Sequence, residues 1–235
     1  TQIVLGAAVS NAVLGKKIGN KSILYGAIFA TLPDLDVWLA KLFFNPVTQI
    51  EIHRGFSHSL FFYFLISFLL AKLIQYFESK TGINFKRAYL ASFLILTTHS
   101  LLDIFTTWGT QFLWPFFDKF ALKSIFVIDP LYTIPLLICL LISIKKDKKD
   151  QRRYFWNNLG LAISSLYLLF SLALQFIVKE KVSEQLVKNG VKYHSIVVKP
   201  TAMNTILWNI IVEKNQEYLL SDYSFFDSKE LKFIS

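Results

Sequence analysis

Residues 88 to 105 read Ala88-Tyr89-Leu90-Ala91-Ser92-Phe93-Leu94-Ile95-Leu96-Thr97-Thr98-His99-Ser100-Leu101-Leu102-Asp103-Ile104-Phe105. A helix rises about 1.5 Å per residue and a bilayer's hydrocarbon core is roughly 30 Å thick, so this run is near span length. It nevertheless carries an imidazole and a carboxylate. Ionisable groups are costly in or beside lipid, and their presence there marks a functional site by default. His99 and Asp103 are four residues apart and share one helix face. Either both ligate one metal, or the Asp orients the His from outside. The plainer alternative is a buried His–Asp hydrogen bond that only ties helices together.

Further apolar runs lie on both sides: Ile23 to Phe44, Ser57 to Phe77, Leu131 to Ile144, Leu159 to Val178, and a shorter one over residues 3 to 14. The 235-residue chain is 54% hydrophobic, with mean hydropathy +0.45, more apolar than a soluble domain of this length requires. The expected fold is an all-α polytopic membrane helical bundle of five to six membrane helices over residues 1–178. A small α+β tail follows over residues 179–235. In that tail Lys181 to Lys188 reads as a short helix. Val191 to Val198, Ile206 to Val212 and Glu217 to Tyr223 read as short strands rich in β-branched and aromatic residues. The chain opens on Thr1 without Met or a basic leader, the pattern of a trimmed N-terminus rather than a signal peptide.

The formal charge of +9 raises nucleic acid as a partner, but its distribution points elsewhere. Thirteen of the 25 Lys and Arg sit in or beside three short connections: Lys16, Lys17 and Lys21; Lys72, Lys80, Lys86 and Arg87; and Lys145, Lys146, Lys148, Lys149, Arg152 and Arg153. Basic clusters at helix ends mark the cytoplasmic side. The expectation is a multi-pass protein of the bacterial cytoplasmic (inner) membrane with lipids, not nucleic acid, as its surroundings. Trp38, Trp108 and Trp114 then fall at the outer interface and Trp156 at the inner one. The tail is extracytoplasmic. The single Cys139 offers no disulfide or thiolate metal site and reads as a small packing residue.

Counting along each helix from its basic anchor gives depth. Lys21 to Asp34 is about 20 Å, Lys72 back to His58 about 21 Å, and Arg87 to His99 about 18 Å. Three helices thus bring Asp or His to a similar height in the outer half of the membrane. Asp34 and Asp36 stand about 200° apart on an ideal helix, so either the helix ends there or one is a ligand and the other a cap or supporting group. In His53-Arg54-Gly55-Phe56-Ser57-His58, Gly55 permits a tight loop and Ser57 is a candidate N-cap. His53 and His58 can close on one metal, or belong to a basic loop that meets lipid headgroups. Arg54 suits an anionic oxygen, since guanidinium pairs bidentately with phosphate or carboxylate. Glu51 is a ligand, a general base or a solvated loop acid. His, Asp and Arg together suit a mono- or dinuclear divalent metal site, Zn or Mn. No Gly-rich phosphate loop and no G-x-S-x-G elbow is present.

Several motifs occur in series: T-Q-I-V-L-G-A-A-V at the start, L-G-K-K-I-G-N-K, L-P-D-L-D, H-R-G-F-S-H-S, H-S-L-L-D, T-T-W-G-T-Q-F-L-W-P-F and V-I-D-P-L-Y. On these the chain resembles the YdjM-like family of membrane-bound, predicted metal-dependent hydrolases, over roughly residues 1 to 144. Weaker similarity continues from Pro200 to Trp208 and in the terminal Y-S-F-F-D. The resemblance implies a membrane hydrolase with Asp34, Asp36, His53, His58, His99 and Asp103 as its metal site and Asp129 of the D-P pair as a supporting residue. Other branches carry a His after the opening Thr, where this chain has Gln2. The leading expectation is a hydrolase of a phosphate ester or related anionic linkage in a lipid or envelope molecule, with Asp36, Asp34 or Glu51 taking a proton and Arg54 steadying the anionic transition state. The competing expectations are a cation or proton transporter using the same Asp/His cluster, and a non-catalytic scaffold or regulator acting through its tail.

Overall fold

A computed structural model describes residues 1–215, 217–227 and 231–234, apart from the side chains of Ile50 and Glu51. It contains eight α-helices and one three-stranded sheet among the described residues. The helices are α1 (Gln2–Ile18), α2 (Lys21–Phe29), α3 (Asp36–Phe43), α4 (Pro46–Ile52), α5 (Leu60–Phe77), α6 (Phe85–Phe105), α7 (Pro130–Ile144) and α8 (Gln151–Lys188). The strands β1 (Ser195–Pro200), β2 (Leu207–Lys214) and β3 (Glu217–Ser224) form an antiparallel sheet in the order β1-β2-β3.

Helix α1 is the centre of the bundle. Every residue from Leu5 to Asn11 is buried, because α2, α6, α7 and α8 pack around it. Small residues make this possible. A Cβ added to Gly26 would lie 2.2 Å from the Gly6 carbonyl oxygen, and one added to Gly6 would lie 2.4 Å from Ala30 Cβ. The α7–α8 crossing works the same way, with Gly160 set against Cys139. Close backbone approach through small residues is a means by which helices associate in lipid, where burying apolar surface gives no advantage.

Among the described residues, four stretches are long and apolar enough to cross a membrane: Lys21–Phe43, Leu60–Phe77, Phe85–Phe105 and Gln151–Lys188. Pro130–Ile144 is a shorter apolar helix. The expected count of five to six therefore depends on α1 and α7, whose 17 and 15 residues rise only about 26 and 23 Å. The first span is not one helix. It breaks between Phe29 and Asp36 around a 3-10 turn at Pro33–Leu35. Pro33 has no N–H and its ring clashes with the preceding turn, so the α-helical ladder stops there.

The three basic connections meet at one end of the bundle. Arg153 Nη1 donates to Asn20 Oδ1 and to the Lys146 carbonyl, and Lys21 Nζ lies 2.9 Å from Glu78 Oε1. Arg153, counted by sequence among the basic residues of the third connection, turns inward. It is 1% exposed, and its guanidinium also donates twice to Asn11 Oδ1. Asn11 in turn donates to Ser143 and Asn157, so α1, α7 and α8 share one neutral polar network around a buried cation.

The sequence separates a membrane helix ending at Val178 from a short helix at Lys181–Lys188. The structure joins them in a single helix of 38 residues. No Pro or Gly falls between Gly160 and Gly190, so the change of composition marks a change of surroundings, not of secondary structure. Val178, Val182 and Leu186, four residues apart, form one face that packs on Val198, Trp208, Ile210, Val212 and Tyr223 of the sheet. Gln175 Nε2 donates to the carbonyls of Leu122 and Val198, tying the 106–129 loop and β1 to α8.

Replacing Gly26 with Leu is expected to separate α1 from α2 and destabilise the bundle by about 3 kcal/mol or more, an overpacking cost compounded by backbone contact. A fall in the thermal midpoint of the detergent-solubilised protein measures it. A Gly26→Leu protein as stable as the wild type would contradict the close crossing.

Candidate metal centre

Four side chains from three segments converge at the end of the bundle opposite the basic turns. Asp34 comes from the break between α2 and α3, His58 closes a 3-10 turn at Phe56–His58, and His99 and Asp103 lie one turn apart near the end of α6. One donor atom from each lies within 4.8 Å of every other. Asp34 Oδ1 is 3.5 Å from both His58 Nε2 and His99 Nε2. Asp103 Oδ2 is 3.5 Å from His58 Nε2 and 3.4 Å from His99 Nε2. His58, His99 and Asp103 are buried.

These atoms fit a cation better than they fit one another. His58 Nε2, His99 Nε2 and Asp103 Oδ2 are all buried without a hydrogen-bond partner. A buried polar atom left unpaired costs about 1–3 kcal/mol, so three facing one point is an expensive arrangement unless something positive joins them. A tetrahedral ion with bonds of about 2.0–2.1 Å to nitrogen and oxygen sets its ligands about 3.3–3.4 Å apart. The four His–Asp separations, 3.4–3.5 Å, lie at or just beyond that value. Two imidazoles and two carboxylates form a donor set suited to Zn or Mn.

The surrounding hydrogen bonds orient this set. Ser57 Oγ donates to Asp36 Oδ2 at 2.8 Å and lies 2.9 Å from His58 Nδ1. Ser57 has one proton and gives it to the carboxylate, so His58 Nδ1 carries the other proton and donates to Ser57. That tautomer leaves the Nε2 lone pair aimed at the centre, as a metal-ligating His requires. Asp103 is held from its other oxygen: Oδ1 accepts from Gln2 Nε2 at 2.8 Å and lies 3.2 Å from Arg54 Nη2. Arg54 Nη1 also donates to Thr106 Oγ1.

The remaining sequence candidates occupy different places. Asp36 lies outside the four-atom group; its Oδ1 is 3.0 Å from His53 Nδ1 and its Oδ2 accepts from the Arg54 backbone N–H as well as from Ser57. His53 is the partner of Asp36, with its side chain one-third exposed at the mouth of the site. Arg54 is 7% exposed and faces Asp103, not an open pocket. Asp129 caps α7, accepting from the N–H groups of Leu131 and Tyr132, and accepts from the Tyr167 hydroxyl on α8. Glu51 lies outside the described side chains. Ser57 is not the helix cap. Ser59 caps α5 by accepting from Phe62 N–H, which frees Ser57 for Asp36. The left-handed backbone falls on Arg54 (φ 60°), while Gly55 is needed because a Cβ there would meet the Ile52 carbonyl oxygen at 2.8 Å.

Three contacts were not anticipated. Gln2, an amide where other branches carry a His, donates to Asp103 Oδ1 and, more weakly at 3.3 Å, to the His99 carbonyl. Thr106 holds Arg54. The 106–129 loop is laced across the site, with Gln111 N–H donating to the Arg54 carbonyl and Leu60 N–H to the Phe112 carbonyl. None has a spacing signature, because each depends on where separate helix ends finish.

A helical membrane protein with a cation-sized Asp/His group, buried except at Asp34, at one end of its bundle is the class that fold and site define. The chain belongs to the YdjM inner membrane protein family, matching it over residues 1–181, a range that runs through the bundle and most of α8. It is similar to an uncharacterized protein, YfhP, of Bacillus subtilis strain 168, at 30% identity over 226 residues. That similarity covers 90% of this chain and 64% of the relative, so the chain spans just under two thirds of the Bacillus protein's length. It is also similar to the inner membrane protein YbcI of Escherichia coli K12, at 37% identity over 131 residues, covering 52% of this chain and 73% of the relative. No solved structure matches.

The purified protein is expected to hold a divalent ion, read by elemental mass spectrometry after detergent extraction. Asp34→Ala and His99→Ala should lose it. Asp36→Asn should retain the site with affinity lowered about 10–100-fold, the usual cost of losing an outer hydrogen-bond partner of a metal-ligating His. Full metal retention in His99→Ala would show that the ion is held elsewhere.

Proposed function

We propose that the protein is a membrane-bound, metal-dependent hydrolase acting on a phosphate ester or related anionic linkage in a lipid or envelope molecule. The observation that carries this proposal is the set of unpaired, buried donor atoms of His58, His99 and Asp103 facing Asp34 at ligand spacing. Asp34, His58, His99 and Asp103 would hold the ion, with Zn or Mn as the leading candidates. When bound, such an ion acidifies water and polarises a phosphoryl or acyl oxygen.

The chain's own residues supply the rest. Asp36 has both oxygens committed, one to His53 and the other to Ser57 and the Arg54 backbone, so proton transfer falls to its partner. His53 Nδ1 donates to Asp36, which leaves a lone pair on Nε2 of a partly exposed imidazole beside the site. That is the arrangement of a general base backed by a carboxylate. Its ring centre is 5.9 Å from that of His58. Arg54 acts through Asp103, fixing that carboxylate's free oxygen toward the two imidazoles, and so is a positioning residue. We further assign the site and the tail to the extracytoplasmic side, because the basic turns gather at the other end of the bundle and basic turns face the cytoplasm.

Turnover of chromogenic phosphoesters by the detergent-solubilised protein, abolished by chelator and restored by Zn or Mn, is the expected result. His53→Ala should lower kcat by about 10²–10⁴-fold, the ordinary contribution of a general base, with metal content unchanged. His99→Ala should lose both metal and turnover. A metal-replete protein with no hydrolysis of any phosphoester would leave a cation-binding membrane protein and remove the hydrolase assignment.

A further inference from the structure

Beside the Asp/His group, α3, α4 and the 106–129 loop enclose an apolar cleft of about 520 Å³. Leu39, Phe43 and Phe44 form one wall, Ile52 and Phe56 another, and Trp114 a third. Its polar lining includes Asp36 and Ser57, the two residues that orient His53 and His58. The cleft and the metal centre therefore share a border. Its volume is within the roughly 300–1,000 Å³ of small-molecule sites, and its character is mostly hydrophobic with a few polar groups gathered in one part.

Two further observations say what fills it. First, the wall formed by α3 belongs to the stretch Lys21–Phe43, which by length and composition is apolar enough to cross a membrane, so that wall is suited to lie against hydrocarbon. Second, Leu39, Phe43, Phe44 and Phe56 are all 44–75% exposed, although an outer wall of this kind needs no concavity merely to contact lipid. A flat face, such as that of Phe61, Phe64 and Leu69 on α5, does that without a polar border.

We propose that this cleft seats one acyl chain of a bilayer lipid, so that the lipid's anionic headgroup linkage lies beside Asp36, Ser57 and the Asp/His group. The substrate class is then a chain-bearing membrane lipid rather than a water-soluble ester. What happens at the headgroup rests on the hydrolase proposal; the chain seat does not.

The test uses the full chain in nanodiscs with a phospholipid that carries a photoactivatable diazirine at mid-chain, its adducts mapped by mass spectrometry. Leu39, Phe43, Phe44, Ile52, Phe56 and Trp114 together should be labelled several-fold more densely than Phe61, Phe64 and Leu69. Chelator and His99→Ala should leave that ratio unchanged. Leu39→Trp, which fills the cleft from an exposed position, should cut cleft labelling several-fold and spare α5. Even labelling of both surfaces, or indifference to Leu39→Trp, overturns the proposal. Hydrolysis of a soluble ester without cleft labelling would refute the chain seat and leave the hydrolase standing. Cleft labelling in a protein without metal or turnover would do the reverse.

Discussion

Two carboxylates and two imidazoles directed into a space less than 4.8 Å across set the terms for this end of the molecule. The oxygens of Asp34 and Asp103 repel when both are ionised, and burial deprives Asp103, though not the half-exposed Asp34, of water's screening. An imidazole with no proton on Nε2 gives neither of them a donor. A shared cation answers all of these at once. The surroundings also hold Asp103 in its buried place: Arg54 and Gln2 both address its far oxygen, and Thr106 steadies Arg54. Breaking the helix at Pro33, inserting a 3-10 turn before His58 and drawing the 106–129 loop across are the backbone consequences of bringing these groups together.

The other end of the bundle solves a related problem differently. Arg153 is buried, but amide oxygens and a carbonyl surround it rather than carboxylates. Dipoles alone satisfy the guanidinium, and the resulting network of Asn11, Asn20, Ser143 and Asn157 pins α1, α7 and α8 without leaving atoms unpaired. One polar layer is saturated and reads as structural. The other has open valences and reads as functional. Between them the helices touch through Gly6, Gly26 and Gly160, where there is room for backbone but not for side chains.

The chemistry of the site was legible in the sequence to the extent that residue type and helical spacing determine it. His99 and Asp103 share a face because they are one turn apart, and equal counting from the basic anchors set Asp34, His58 and His99 at one height. Spacing could not separate ligand from supporting residue. Asp34 and Asp36 are chemically identical and two positions apart; which of them faces the imidazoles was decided by the break at Pro33, which turns Asp34 inward and leaves Asp36 to His53 and Ser57. Arg54 suits an anion in any sequence, but packing against Asp103 determines which anion it meets. The two helices expected at Leu159–Val178 and Lys181–Lys188 are one, because hydropathy reports the solvent around a helix and not its continuity.

Composition and pattern by themselves determined that this is a membrane protein of several apolar helices, with its cations gathered at helix ends, an Asp/His set at a common depth and a mixed tail. Those properties follow from local periodicity and from the cost of placing charge in hydrocarbon, which act on each segment separately. Tertiary structure alone decided which four atoms meet, which tautomer His58 adopts, that Gln2 and Thr106 belong to the site, and that an apolar cleft borders it. Each of these depends on the relative placement of segments 21 to 101 residues apart, and backbone breaks and close glycine contacts establish that placement without a signature in the local sequence.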